Sequence, residues 1–204
     1  MSGIEPTRVT VLRHGEVSGR AFVYRGALDD PMTGQGAARV RRTADCLAIP
    51  AFDRIASSPL ARCLDFAEAY GKERKLPLDV LDSMREMHFG AWEGLTPEEA
   101  ARLDPEHYQL FRGTAGKVGP PEGESITQLH KRVSQGWDDW LADARGGHRL
   151  LVTHAGVMRV LLLELIGLGS AHLYRIALPE AAHFQISVLP GEAPVLLNLN
   201  SCAD

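Results

Sequence analysis

Two tripeptides far apart in the chain, Arg13-His14-Gly15 and His154-Ala155-Gly156, each place an imidazole and small residues directly after a run of β-branched and aliphatic residues. Imidazole has an ordinary pKa near neutrality, so it can act as nucleophile, base or proton donor without a large energetic cost. The small residues that follow let the backbone come close to a bound anion. Arg13 adds a planar, permanently charged fork of donors suited to phosphate. Both tripeptides close strand-like segments, VTVL and RLLVT, and ligands of parallel α/β sheets collect at the carboxyl ends of strands. The pair therefore reads as one anion-handling site assembled from two distant strands.

The elements that must position these residues follow from the pattern of apolar positions. Residues 9–13 predict a first strand, and residues 37–47 a helix with Thr33 placed as its N-cap. Residues 53–57 form a second short strand, followed by a helix that carries Pro59 in its first turn. LPLDVL is a third strand, the pattern breaks up over residues 82–94, and Thr96 opens a capping-box helix, TPEEAARL. Residues 111–125 (FRGTAGKVGPPEGES) are dense in Gly and Pro and read as a long loop. A long amphipathic helix starts at Ser125, HRLLVT is another strand, residues 157–166 are an apolar helix, and FQISVL and VLLNL end the chain as strands. This alternation of strands and helices predicts an α/β fold with a mostly parallel central sheet flanked by helices.

Composition narrows the function. With 204 residues, 45% of them hydrophobic and 24% charged, the chain is sized for a single domain, 1–204, around one sizeable core. A net charge of −4 with scattered basic residues excludes a nucleic-acid or anionic-membrane footprint, so any anionic substrate must be held by local arginines. Cys46, Cys63 and Cys202 form neither a disulfide framework nor a Cys-x-x-Cys zinc motif. With no leader-like start and no apolar run of about 18 residues, the expectation is a cytoplasmic protein outside the membrane. The other histidines show no metal-ligand spacing, so no metal and no cofactor are expected.

Taken with SSPLAR and LDSMREMHFGAWEGL, the two tripeptides resemble the motifs of the histidine phosphatase superfamily, the phosphoglycerate mutase-like proteins, in order and from about Val9 to about Leu199. The resemblance implies a three-layer α/β/α fold and a phosphohistidine intermediate on His14, which a neutral imidazole nitrogen can form. It implies that Arg13 and Arg62 hold the phosphoryl group with the backbone at Gly15 and Ala155, and that His154 donates to it. It also implies that Glu86 supplies the proton for the departing oxygen. Glu16 and Glu93 are expected to buttress the arginines and the loop.

The lysine and arginine pair with which the family's mutases hold a substrate carboxylate are missing after Gly94-Leu95, and the chain reads as a phosphatase of small phosphomonoesters. Its FVYRGALDDPMTGQG, REMHFGAWEGLTPEE and PPEGES segments look most like the α-ribazole phosphatases of cobalamin synthesis. A nucleotide-like substrate would want an aromatic wall. Tyr24, Trp92 and Phe111 are candidates for it, with Arg25 and Gly26 as further substrate contacts. The alternatives are a broad-specificity or sugar/phosphoglycerate-type phosphatase, then a mutase or a non-catalytic phospholigand-binding protein. Val17 and Ser18-Gly19-Arg20 depart from the family pattern, leaving Arg20 or Arg25 to replace lost polar contacts. A homodimer is expected only as the common state of small intracellular proteins.

Overall fold

The computed structural model describes residues 5–200. Cys202 and residues 1–4, on which the readings of redox compartment and leader partly rest, lie outside the described residues. The chain runs β1 (Thr7–Arg13), α1 (Gly34–Leu47), β2 (Arg54–Ser57), α2 (Ala61–Arg74) and β3 (Leu78–Val80). Two 3₁₀ turns, Asp82–Met84 and Gly90–Trp92, precede α3 (Pro97–Leu103) and α4 (Pro105–Gly113). Then come α5 (Ile126–Leu141), β4 (His148–Thr153), α6 (Ala155–Leu165), a 3₁₀ turn Ser170–His172, β5 (His183–Val188) and β6 (Val195–Leu199).

The six strands form one sheet in the order β3-β2-β4-β1-β5-β6. It is parallel from β3 through β1 and antiparallel at the β1/β5 and β5/β6 pairings. The sheet is thus mixed: β5 and β6 join as a hairpin, which needs no crossover helix. Residues on β1, β2 and β4 alternate between two apolar layers. Val9, Val11, Ala56 and Leu151 pack with α5 and α6, whereas Leu12, Ile55, Leu150 and Val152 pack with α1 and α2. Each such side chain removed from water is worth about 1.5–3 kcal/mol, so both sheet faces are held by helices.

Local chemistry sets the helix starts. Thr33 caps α1 by accepting from the Gly36 amide at 3.0 Å. Thr96/Glu99 and Ser125/Gln128 form reciprocal capping boxes on α3 and α5. On α5 the buried residues Ile126, Leu129, Val133, Trp137 and Trp140 recur on one stripe. The first three residues of the loop expected over residues 111–125 belong to α4, because the cap at Asp104 and Pro105 start a helix that runs through Gly113. Among the described residues, no helix is long and apolar enough to cross a membrane.

Candidate active site

Arg13 pairs with Thr153 in the β1/β4 ladder, and the His14 amide donates to the Thr153 carbonyl at 3.0 Å. Register alone therefore brings the two histidines together, with ring centroids 5.3 Å apart and the rings edge to face. His14 Nδ1 lies 2.8 Å from the Gly15 carbonyl, which can only accept, so Nδ1 carries the proton and Nε2 keeps its lone pair. Burial, then the charge of Arg13, with smaller contributions from Arg62 and Arg25, depress the His14 pKa to about 3. The ring is held as a neutral imidazole with one defined free nitrogen.

His154 is fully buried, and burial followed by the charge of Arg62 pushes its pKa well below the usual histidine range. Its Nδ1 accepts from Arg62 Nε at 3.2 Å, which leaves the proton on Nε2, directed at Ser58 Oγ at 2.7 Å. The N–H that the resemblance assigns to the transferring group is thus on Nε2 and rests on Ser58 Oγ in this structure. Arg62 enters from the first turn of α2 and is 1% exposed. Its Nη1 and Nη2 donate to the Leu28 and Gly26 carbonyls at 2.6 and 2.7 Å, tying the loop after β1 to the second histidine.

Arg13 donates from Nη1 to the Leu178 carbonyl at 2.7 Å, while its Nε is buried without a hydrogen-bond partner. Burial lowers the pKa of this guanidinium, partly offset by the charges of Glu86 and Glu180. Glu86 follows the Asp82–Met84 turn, and its carboxyl oxygens accept from the Met87 amide at 2.9 Å and the Gly156 amide at 3.2 Å. A Cβ on Gly156 would lie 2.3 Å from Glu86 Oε1, so the second tripeptide needs its glycine to let the carboxyl group approach. Ala155 supplies the first amide of α6, at a helix N-terminus where backbone donors favour anions.

Arg13, His14, Arg62 and Glu86 line one cleft of about 750 Å³, together with Tyr24, Arg25, Gly26, Phe89 and Glu180. Gly15 is not on that wall. Its amide points to Met32 Sδ at 3.1 Å, and an added Cβ would meet the Gly36 carbonyl at 2.3 Å. The glycine is required for close packing on α1 rather than for an amide contact with the anion. Trp92 and Phe111 are also displaced from their expected place. They are 0% and 2% exposed, packed on each other at 5.2 Å between centroids, because burying two large aromatic surfaces outweighs leaving either in a wet cleft. They support Tyr24 from behind, at 5.9 and 6.4 Å.

The aromatic side of the cleft is instead Tyr24 stacked on Phe89 at 4.7 Å, with the exposed Phe22 at the rim. Arg25 is partnered by Asp30 and by the Ser18 and Arg20 carbonyls. Gly26 has φ +51 and meets Arg62 through its carbonyl. Arg20 turns outward to Glu99 at 2.8 Å and so does not replace a polar contact in the cleft. Glu93 accepts from the Ala27 and Phe89 amides at 2.9 and 3.1 Å, and Glu16 accepts from the Thr33 hydroxyl at 2.7 Å.

Sequence reasoning passed over Ser58, Phe89, Glu180 and Arg132. Ser58 and Phe89 sit inside segments already singled out, whereas Glu180 and Arg132 carry no local signal that separates them from surface charges. Among the described residues, no group of three or more His, Cys, Asp or Glu is placed to hold a metal ion.

Comparison with known proteins agrees with the geometry. The chain is 35% identical over 180 residues to a Mycobacterium tuberculosis protein described as bifunctional, covering 87% of this chain and 49% of that protein. It thus spans about half the length of the first curated relatives it matches. It is 27% identical to an adenosylcobalamin/alpha-ribazole phosphatase of Salmonella typhimurium, over 96% of this chain and 97% of the relative. The solved structure of a mycobacterial glucosyl-3-phosphoglycerate phosphatase superposes with a TM-score of 0.84 at 25% identity, covering 96% of this chain and 99% of the other. Residues 9–201 match the sequence profile of the histidine phosphatase superfamily, branch 1, and the chain belongs to that family.

Proposed function

We propose that this chain hydrolyses small phosphomonoesters in two displacements through a phosphohistidine on His14. The observation that carries the reading is a neutral imidazole, its Nδ1 fixed on a carbonyl, facing a cleft shared with two arginines and a carboxyl group. His14 Nε2 attacks phosphorus as the P–O bond to the alcohol breaks, and Glu86 gives that oxygen its proton. Water then attacks phosphorus and gives a proton to Glu86 as the P–N bond breaks, its electron pair returns to His14 Nε2 and phosphate is freed. Arg13 and Arg62 neutralise the phosphoryl oxygens, the Ala155 amide adds a donor, and His154 offers its Nε2–H by exchanging Ser58 for a phosphoryl oxygen.

For the substrate we propose α-ribazole 5′-phosphate, supported by the segments shared with that group and by the near-full-length Salmonella relative. Tyr24, Phe89 and Phe22 give a flat base apolar surface to pack against. A second reading, a sugar- or glycerate-linked ester, is favoured by the likeness to the glucosyl-3-phosphoglycerate enzyme.

Two measurements test these readings. Purified protein should turn over p-nitrophenyl phosphate and form an acid-labile, base-stable phosphoenzyme that is lost in His14→Ala. No turnover between about pH 5 and 8 would sink the phosphatase reading. In a panel of α-ribazole phosphate, phosphoglycerates and sugar phosphates, the highest kcat/KM should fall on the first. A higher value on an acidic or sugar ester replaces it with the second.

A further inference from the structure

The segment that carries Glu86 lies between β3 and the Gly90–Trp92 turn, outside the sheet ladder, and something else must hold it in place. Arg132, on the second turn of α5, spends nearly all of its guanidinium on this task. Nη1 donates to the Ser83 and Arg85 carbonyls at 2.8 and 2.9 Å, and Nη2 to the Glu86 carbonyl at 3.1 Å. Nε and Nη2 also bind both oxygens of Glu124, at 2.7 and 2.8 Å. Glu124 is itself pinned, its amide donating to the His88 carbonyl at 2.8 Å.

Two glycines record how closely these parts approach. A Cβ on Gly136, one turn beyond Arg132, would fall 1.9 Å from Ser83 Oγ. A Cβ on Gly90 would fall 2.1 Å from the carbonyl of Pro121, in the loop that holds Glu124. The backbone from Ser83 to Gly90 is therefore gripped from α5 on one side and from the PPEGES loop on the other. Arg132 is the only side chain that joins both grips to the residue bearing the carboxyl group, among the described residues.

We propose that Arg132, seated on Glu124, is the positioning residue for the Glu86 carboxyl group. This rests on the reading of Glu86 as the proton donor to the leaving alcohol. A donor must stand within hydrogen-bond reach of the departing oxygen, and an error of about 1 Å costs on the order of 10²-fold in rate. Lysine keeps the charge but cannot span three carbonyls and a bidentate carboxylate, because its ammonium is a compact point charge.

The reaction itself separates positioning from bulk stability. Glycerol 3-phosphate releases an alkoxide that needs a proton, whereas p-nitrophenyl phosphate releases a phenolate that departs without one. With folding checked by circular dichroism, Glu86→Gln and Arg132→Gln should both lower kcat/KM, which reports only the steps through release of the alcohol and not the shared hydrolysis of the phosphoenzyme, on the alkyl ester at least about tenfold more than on the aryl ester. Arg132→Lys should recover only part of the difference. Equal slowing of both esters in folded Arg132→Gln overturns the proposal and leaves Arg132 a purely structural residue. If that variant does not fold, Glu124→Gln carries the same comparison, and equal slowing there overturns it as well. Ester-independent slowing by Glu86→Gln removes the proton-donor reading and this inference with it. Turnover of neither ester by the wild type removes the phosphatase reading from which both descend.

Discussion

At the scale of single residues, the site depends on where protons are and on which side chains are absent. With its pKa depressed to about 3 by burial and by Arg13, His14 is neutral from mildly acidic pH upward. An NMR titration of the imidazole resonances should show no protonation of His14 between pH 8 and 5. A His14 midpoint near 6.5 would mean that the ring is far more hydrated than its surroundings imply. Gly156 makes the complementary point about absence. It occupies the first turn of α6 without a positive φ, so alanine is conformationally acceptable there, yet its Cβ would press on Glu86 Oε1 at 2.3 Å. Gly156→Ala should therefore lower kcat at least about tenfold by displacing the carboxyl group, with Tm nearly unchanged. Full activity in that variant would show that Glu86 can give way at no cost.

Elements differ in how much of their role is written locally. The caps at Thr33 and Thr96 were legible because a hydroxyl three residues ahead of its target amide is a local pattern, and each forms its bond in the structure, as does Ser125, where the pattern marked only the start of the helix. The α5 cap also supports the helix that presents Arg132. Ser125→Ala should cost about 1 kcal/mol, read as a lower urea midpoint at constant m-value. The turns at Asp82–Met84 and Gly90–Trp92 were not legible, since each is three residues long and has no period. Trp92 and Phe111 lie behind the cleft rather than in it, a difference from expectation with a related cause. An aromatic side chain next to a motif looks the same in sequence whether it faces the cleft or supports the residue that does, and here Tyr24 faces it. Arg132 was invisible because its carbonyl partners lie more than forty residues away in sequence. The edge pair β5 and β6 read correctly as strands. Their directions, β5 against β1 and β6 against β5, depend on connections that the apolar pattern does not encode.

For the whole molecule, the histidines that shape the site also set how the fold responds to acid. His14, His148, His154 and His183 all have pKa values lowered mainly by burial, two of them at the site and two elsewhere around the sheet. Above about pH 6.5 these rings are neutral in both the folded and the unfolded chain, and their titration contributes nothing. As pH falls below that value, the unfolded chain takes up protons that the folded chain refuses, so stability declines with acidification. The carboxylates add a separate loss at lower pH. Asp79 and Glu99 have pKa values lowered chiefly by hydrogen bonds from Arg54 and Arg20, so their stabilisation is present above about pH 4 and disappears below it. Tm should therefore be flat from pH 8 to 7, lower by roughly 5 °C or more at pH 5, and lower again below pH 4. The first of these losses belongs to the buried rings. His148→Gln keeps a polar side chain near Thr10 and the Pro50 carbonyl, where the ring nitrogens now lie at 2.8 Å, and removes one ionisable group from this set. The drop between pH 7 and 5 should shrink in that variant while the loss below pH 4 stays. An undiminished drop would assign the acid sensitivity to His14, His154 and His183 and leave His148 without a part in it.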